Sequence, residues 1–158
     1  MAQTIDASSP LPWPPIVFGS AALIAALLTW LTPLPVPQGM GYLALRLLGG
    51  FALAAGIALI VVAGGQFRKA GTGIVPTKPT TAIVGAGIYA TTRNPMYLGM
   101  ALILLGLGFA TASPWFFIAD IFAIPAVTKL AIEREEAYLE RKFGGDYLAY
   151  KARVRRWL

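Results

Sequence analysis

Arg93 and Asn94 stand directly before an apolar run, and Glu133-Arg134-Glu135-Glu136 emerges from the end of the next one. A short helical hairpin would bring both clusters to the same membrane face. Ionisable groups are costly beside hydrocarbon, so two clusters that converge there can bracket one polar ligand between them. That pattern reads as a membrane-embedded enzyme site. The chain contains no Cys and no His, which removes thiolate nucleophiles, a histidine base, and His or Cys metal ligation. Any chemistry falls to carboxylates, Arg, Lys, Tyr, hydroxyls and backbone groups.

The elements that hold these clusters are apolar helices. With 57% hydrophobic and 13% charged residues in 158, and a mean hydropathy of +0.67, the chain has too little polar surface to cover a soluble globule. Four apolar runs stand out, Pro15–Leu31, Tyr42–Gly64, Met96–Ala112 and Trp115–Ile132. At about 1.5 Å per residue each approaches or exceeds the thickness of a hydrocarbon core of about 30 Å. The expected fold is all-α, an integral membrane protein with four transmembrane helices at about 15–31, 42–64, 96–112 and 115–140. A single domain, 1–158, is expected to carry a cytoplasmic lid loop at 66–95 and a C-terminal amphipathic segment at 146–158.

Basic residues are segregated. Arg68, Lys69, Lys78 and Arg93 lie between the second and third runs, and Arg134, Arg141, Lys142, Lys151, Arg153, Arg155 and Arg156 follow the fourth. The connections Thr32–Gly41 and Thr111–Pro114 carry none. Positive charge marks the cytoplasmic side, so with four crossings both the N- and C-termini are expected in the cytoplasm. A net charge of +6 and a pI near 9.9 then suit anionic headgroups, and no nucleic-acid motif accompanies them. The first run lacks the basic stretch that precedes a secretory signal, and Trp13 and Trp30 flank it as interfacial aromatics do. It reads as a permanent helix.

Small residues four apart, Ala22 and Ala26, Ala52 and Gly56, Gly106 and Ala110, predict close helix packing. Pro125 is expected to kink or interrupt the fourth helix. Arg46 and Asp120 fall at matching depth below the non-cytoplasmic face and are expected to pair, since ionisable groups within a membrane face the bundle and find partners. The connection Gln66–Pro95, rich in Gly, Pro and Thr, reads as an ordered lid on the membrane face. Its Gly85-Ala-Gly87 is no dinucleotide fingerprint, because no strand precedes it.

Beyond the last apolar run, Ile132, Glu136, Leu139 and Phe143 share a helical stripe. A carboxylate on a buried stripe requires a cationic partner. The stripe breaks at Gly144-Gly145, and Tyr147, Tyr150, Val154 and Trp157 continue as a second amphipathic piece. That piece either rests on headgroups or closes over the site.

Arg93-Asn-Pro-Met-Tyr-Leu-Gly99, then Glu135-Glu136, then Phe143-Gly-x-x-Tyr147-x-x-Tyr150-x-x-x-Val154-x-Arg156, resemble in this order the isoprenylcysteine carboxyl methyltransferase and phospholipid methyltransferase superfamily of integral membrane enzymes. Upstream, Phe67-Arg-Lys-Ala-Gly71-Thr and Lys78-Pro-Thr-Thr81 are similar to its bacterial members. The resemblance implies S-adenosylmethionine as methyl donor, with S-adenosylhomocysteine as product and no metal. It implies cofactor contacts from Gly87, Tyr89, Arg93, Asn94, Pro95, Tyr97, Leu98, Glu135 and Glu136, with one of the two glutamates holding the cofactor's ammonium. Glu135 and Arg93 would be the catalytic pair, and Tyr147, Tyr150 and Arg156 would contact substrate. Asn94 stands where carboxyl methyltransferases carry His, and there the chain looks more like the phospholipid enzymes; Ala131 stands where carboxyl methyltransferases carry Arg.

Methyl transfer from a sulfonium to an anionic acceptor removes charge in the transition state, so a water-excluding, positioning site suffices. An amine acceptor would also have to lose its proton, to Glu135 or to a Tyr; the missing histidine leans toward an acceptor that is already anionic. The expected activity is methyl transfer to a lipid-like acceptor that reaches the cytoplasmic membrane face sideways from the bilayer. The alternative is a noncatalytic membrane protein that binds lipid or a small molecule and retains the fold. No oligomeric state follows from the sequence.

Overall fold

A computed structural model describes residue 9 and residues 11–36, 40–71 and 80–158. Lys78 and the rest of 72–79, residues 1–8 and 10, and 37–39 of the first connection lie outside the described residues. Within them the chain is all-helical with no β-strand. In order it forms α1 (Trp13–Leu31), α2 (Met40–Lys69), a 3₁₀ turn (Gly87–Ala90), α3 (Pro95–Thr111), α4 (Pro114–Val127), a π turn (Thr128–Ile132), α5 (Glu133–Phe143) and α6 (Gly145–Arg153).

Proline sets several helix starts. Pro14, Pro95 and Pro114 occupy first-turn positions of α1, α3 and α4, where a missing N–H costs nothing and the fixed φ is already helical. α2 runs through Gly64-Gly65 to Lys69, past the expected end, because its last turn carries the Arg68 and Lys69 cations that complement a helix C-terminus. The fourth run divides into three pieces. Pro125 sits inside α4, and the interruption follows it as the π turn, in which the Glu133 N–H bonds to the Thr128 carbonyl.

Three helices are long and apolar enough to cross a membrane: Trp13–Leu31, Gly41–Lys69 and the composite Pro114–Phe143. Helix α3 is apolar but shorter, with 17 residues. Leu23, Trp30, Phe51, Val61, Ile121 and Phe122 are more than half exposed, as lipid-facing side chains must be.

Packing runs α2 on α3, α3 on α4, and α4 on α1, with α1 also touching α3. The α2–α3 contact is made by glycines. A Cβ on Gly49 would lie 2.4 Å from the Ala110 nitrogen, one on Gly56 2.6 Å from the Gly99 carbonyl oxygen, and one on Gly106 2.8 Å from Leu53. Any side chain there would separate the helices. In α1 the buried alanine is Ala25, at 1% exposure, and Ala26 is exposed. Ala25 and Phe18 join Ala101 and Leu104 of α3 and Phe116, Ala123 and Val127 of α4 in one core. At the far end the Thr29 and Ser113 hydroxyls share a 2.5 Å hydrogen bond and the Trp115 indole donates to the Thr32 carbonyl at 2.8 Å.

The expected Arg46–Asp120 pair does not form. Arg46 is exposed and lies over the Tyr42 ring at 4.7 Å, while Asp120 is buried with Oδ1 lacking a hydrogen-bond partner among the described residues. The depths match but the faces do not, because α2 packs on α3 and α4 packs on α1 and α3.

Candidate active site

The start of α3, the start of α5 and the C-terminal segment meet at one end of the bundle. Arg93 is the junction. Its Nη2 donates to Glu136 Oε1 at 2.8 Å, and its Nη1 donates to the carbonyls of Lys151 at 3.0 Å and Val154 at 2.9 Å. The Glu136 carboxylate also accepts from Arg156, Nε to Oε1 at 3.0 Å and Nη2 to Oε2 at 2.7 Å. Lys151 Nζ stands 3.9 Å from Glu136 Oε2 and bonds directly to Glu140. The Arg93 and Glu136 side chains are 9% and 8% exposed, and a buried carboxylate with two guanidiniums is the arrangement in which desolvation is offset. The bond to Glu136 holds the Arg156 guanidinium above its ordinary value.

The backbone repeats the connection. Residues 154–157 run parallel to 92–94 as a strap: the Arg93 N–H donates to the Arg155 carbonyl at 2.9 Å, the Thr92 hydroxyl to the Arg156 carbonyl at 3.2 Å, and Asn94 Nδ2 to the same carbonyl at 2.9 Å. Asn94 therefore ties down the strap.

Glu135 is held differently. Its Oε1 accepts from the Tyr97 hydroxyl at 2.7 Å, and among the described residues no cation stands within ion-pair distance. Above it Tyr150 donates to the Tyr89 carbonyl at 2.7 Å, and the Tyr89 ring meets Phe67 edge-on at 5.2 Å. Burial raises the Tyr150 phenol to about 12, against a smaller lowering by Arg93. Burial raises Tyr89 and Tyr147 further. All three remain neutral donors near neutrality. Gly87 adopts φ +59, and a Cβ there would strike the Gln66 side chain at 2.0 Å, so the 3₁₀ turn lies tight on the end of α2.

These groups line a cavity of about 270 Å³. Of the residues expected from sequence, Tyr89, Arg93, Asn94, Pro95, Tyr97, Glu135, Glu136, Tyr147 and Tyr150 are on its wall. Leu98, Gly87 and Arg156 are not on it. Leu98 is one helical step past Tyr97 and turns aside, Gly87 shapes the turn that carries Tyr89, and Arg156 grips Glu136 without lining the wall. The apolar wall went unforeseen: Pro12, Pro14 and Pro15 ahead of and in α1, Met96 and Met100 on α3, Ile132 in the π turn, and Ala82-Ile83-Val84.

Residues 44–146 match the family model for phospholipid methyltransferases. The chain belongs to the phospholipid methyltransferase family. The match begins in the first turns of α2, ahead of the Phe67 motif at the end of that helix, and ends at the start of α6. The family assignment is joined by two curated relatives. An uncharacterized protein of Haemophilus influenzae is 43% identical over 63 residues, 40% of this chain and 100% of that protein. The protein-S-isoprenylcysteine O-methyltransferase of Saccharomyces cerevisiae is 31% identical over 83 residues, 51% of this chain but only 35% of the yeast enzyme. No solved structure matches the chain. The family and the yeast enzyme together support the membrane methyltransferase superfamily to which the motifs point, and with the apolar helices they support a membrane location.

Proposed function

We propose that the chain is an S-adenosylmethionine-dependent methyltransferase whose cofactor and lipid-like acceptor meet in the cavity between α3, α5 and α6. The observation that carries this reading is the pair of unlike carboxylates on one wall: Glu136 is neutralised by Arg93 and Arg156, while among the described residues Glu135 is bonded only to the Tyr97 hydroxyl. The donor carries an ammonium, a sulfonium and a carboxylate. Glu135 is suited to the cationic groups. Arg93 Nε, buried and without a partner, is suited to an anionic oxygen. Tyr89, Tyr147 and Tyr150 offer aromatic surface around them. The residues therefore fit the group, and S-adenosylmethionine supplies an electrophilic methyl on a sulfonium sulfur.

The chain's own contribution is binding, orientation and water exclusion. The strap and α6 cover the polar end, and the prolines and methionines offer the acceptor's hydrocarbon part an apolar wall. For a protonated acceptor, Glu135 is the proton acceptor and Tyr97 holds its carboxylate in place. Arg93 is the one cationic side chain on the described wall; it is bound to Glu136 and two carbonyls, and its remaining Nε is suited to the donor's own carboxylate, so an anionic acceptor would have no cation of its own. The charge arrangement thus favours an amine acceptor over a carboxylate, reversing the sequence expectation.

The remaining topology belongs to the same proposal. Helix α3 serves as a short fourth crossing, both termini and the cavity face the cytoplasm with Arg68, Lys69, Arg134 and Arg141, the 66–95 connection acts as the lid, and α6 lies at the headgroup level as an amphipathic helix. Labelled S-adenosylmethionine offered with an aminophospholipid or with a prenylated cysteine tests the reading: transfer to the amine lipid is expected, transfer to the carboxylate alone would reverse the acceptor assignment, and transfer to neither would favour the noncatalytic alternative.

A further inference from the structure

The inward face of α4 is marked by its buried residues, Phe116, Asp120, Ala123 and Val127. At about 100° per residue, an unbroken α-helix would bring Arg134 to within about 20° of Val127 and carry Glu136 about 180° away, to the outside. The molecule does the opposite. Arg134 is exposed, Ile132 is fully buried at 0%, and Glu135 and Glu136 face the cavity.

The difference is the π turn. Its Glu133 N–H reaches back five residues to the Thr128 carbonyl, so the ring holds one residue more than an α turn. Absorbing one residue returns Glu135 to within about 20° of Val127 and Glu136 to about 80°, with Arg134 thrown outward. The widening has a local cause. Pro125 has no N–H for the Ile121 carbonyl, and three residues later the Thr128 hydroxyl takes the Ile124 carbonyl at 2.8 Å while the Thr128 N–H is shared between Ile124 and Pro125.

We infer that the π turn Thr128–Ile132 is the register element of the site: it stores one surplus residue, and that surplus is what aims Glu135 and Glu136 into the cavity while Arg134 faces out. A deletion inside a membrane helix ordinarily rotates everything beyond it by about 100°. Here removal of one residue from the turn leaves a plain α-helix in the same phase, whereas addition of one residue turns Arg134 inward, moves Glu135 to the angle Glu136 now holds and carries Glu136 to the outside.

The test uses the full chain in detergent, which has no native cysteine, with Arg134→Cys as a lone thiol for maleimide labelling. Deletion of Lys129, whose side chain is 74% exposed and pairs only at the surface with Glu133, should leave the labelling rate unchanged. It should also keep S-adenosylhomocysteine affinity within about twofold, as Lys129→Ala should. Insertion of Ala between Lys129 and Leu130 should protect the thiol and weaken binding about tenfold or more. The affinity readout rests on the methyltransferase reading; the labelling does not. A wild-type chain that binds no S-adenosylhomocysteine while the labelling follows the expected pattern would refute that reading and uphold the register. Folded deletion protein with a protected thiol or lost affinity would overturn the inference, as would an insertion variant that labels and binds like the parent. If the insertion variant does not fold, the deletion decides alone through affinity, because without a surplus residue it would turn Glu135 about 100° to the outside and displace Glu136 from its cations.

Discussion

Arg93 and Glu136, 43 residues apart in sequence, meet at 2.8 Å with both side chains about nine-tenths buried. One guanidinium thereby joins the start of α3, the start of α5 and, through two carbonyls, the end of α6. Arg93→Ala should remove all of this and leave Glu136 with Arg156 and, at 3.9 Å, Lys151. A destabilisation of about 3 kcal/mol or more is expected, in the range for breaking a buried ion pair. Thermal unfolding in detergent measures it, and an unchanged midpoint would contradict the clamp.

Asn94 makes a different prediction. Its amide holds the strap through the Arg156 carbonyl, so Asn94→Ala should cost about 1 kcal/mol in stability. Removal of Val154–Leu158 should be far more damaging, since it takes away Arg156 and the partners of Thr92 and Arg93. Limited proteolysis of the tail and cofactor titration read both effects. A truncated chain that binds as well as the parent would show that the strap is dispensable.

Part of this site was legible in the residues and part was not. The stripe Ile132, Glu136, Leu139, Phe143 required a cation for Glu136, and the structure supplies two guanidiniums, with Lys151 at 3.9 Å. The small-residue spacing announced close packing, which Gly56 and Gly106 provide between α2 and α3. What failed depended on which helix lies beside which. Arg46 and Asp120 share a depth, but depth carries no information about the neighbour, and α3 rather than α4 is the partner of α2. The apolar wall from Pro12 to Pro15 was hidden because prolines at a helix start look like a cap and nothing more. Pro125 announced an interruption without saying that it would take the form of a wider turn three residues later.

Alkaline stability should follow the buried phenols. Tyr150 is raised from 10.0 to about 12 in the folded chain, so its protonated form is favoured by folding. Its contribution is fully present below pH 10 and is lost as pH rises toward 12. Tyr150→Phe should flatten the decline in unfolding midpoint over that interval while lowering the plateau by about 1 kcal/mol for the lost bond to the Tyr89 carbonyl. Equal declines in parent and variant would remove Tyr150 from the account.

A reporter fused after Leu158 should behave as cytoplasmic if the basic end of the bundle, where the cavity lies, faces inward. A reporter active on the opposite side would overturn the orientation.

The central claim is that the cavity takes S-adenosylmethionine and that Glu135, the carboxylate without a cation, recognises it. Calorimetric titration of the purified full chain with S-adenosylhomocysteine tests this most directly, with Glu135→Gln beside the parent. One-to-one binding is expected in the parent, with a loss of about tenfold or more in the variant from the missing charge-assisted contact. Folded parent protein that takes up no ligand, or a Glu135→Gln variant that binds as tightly as the parent, would contradict it.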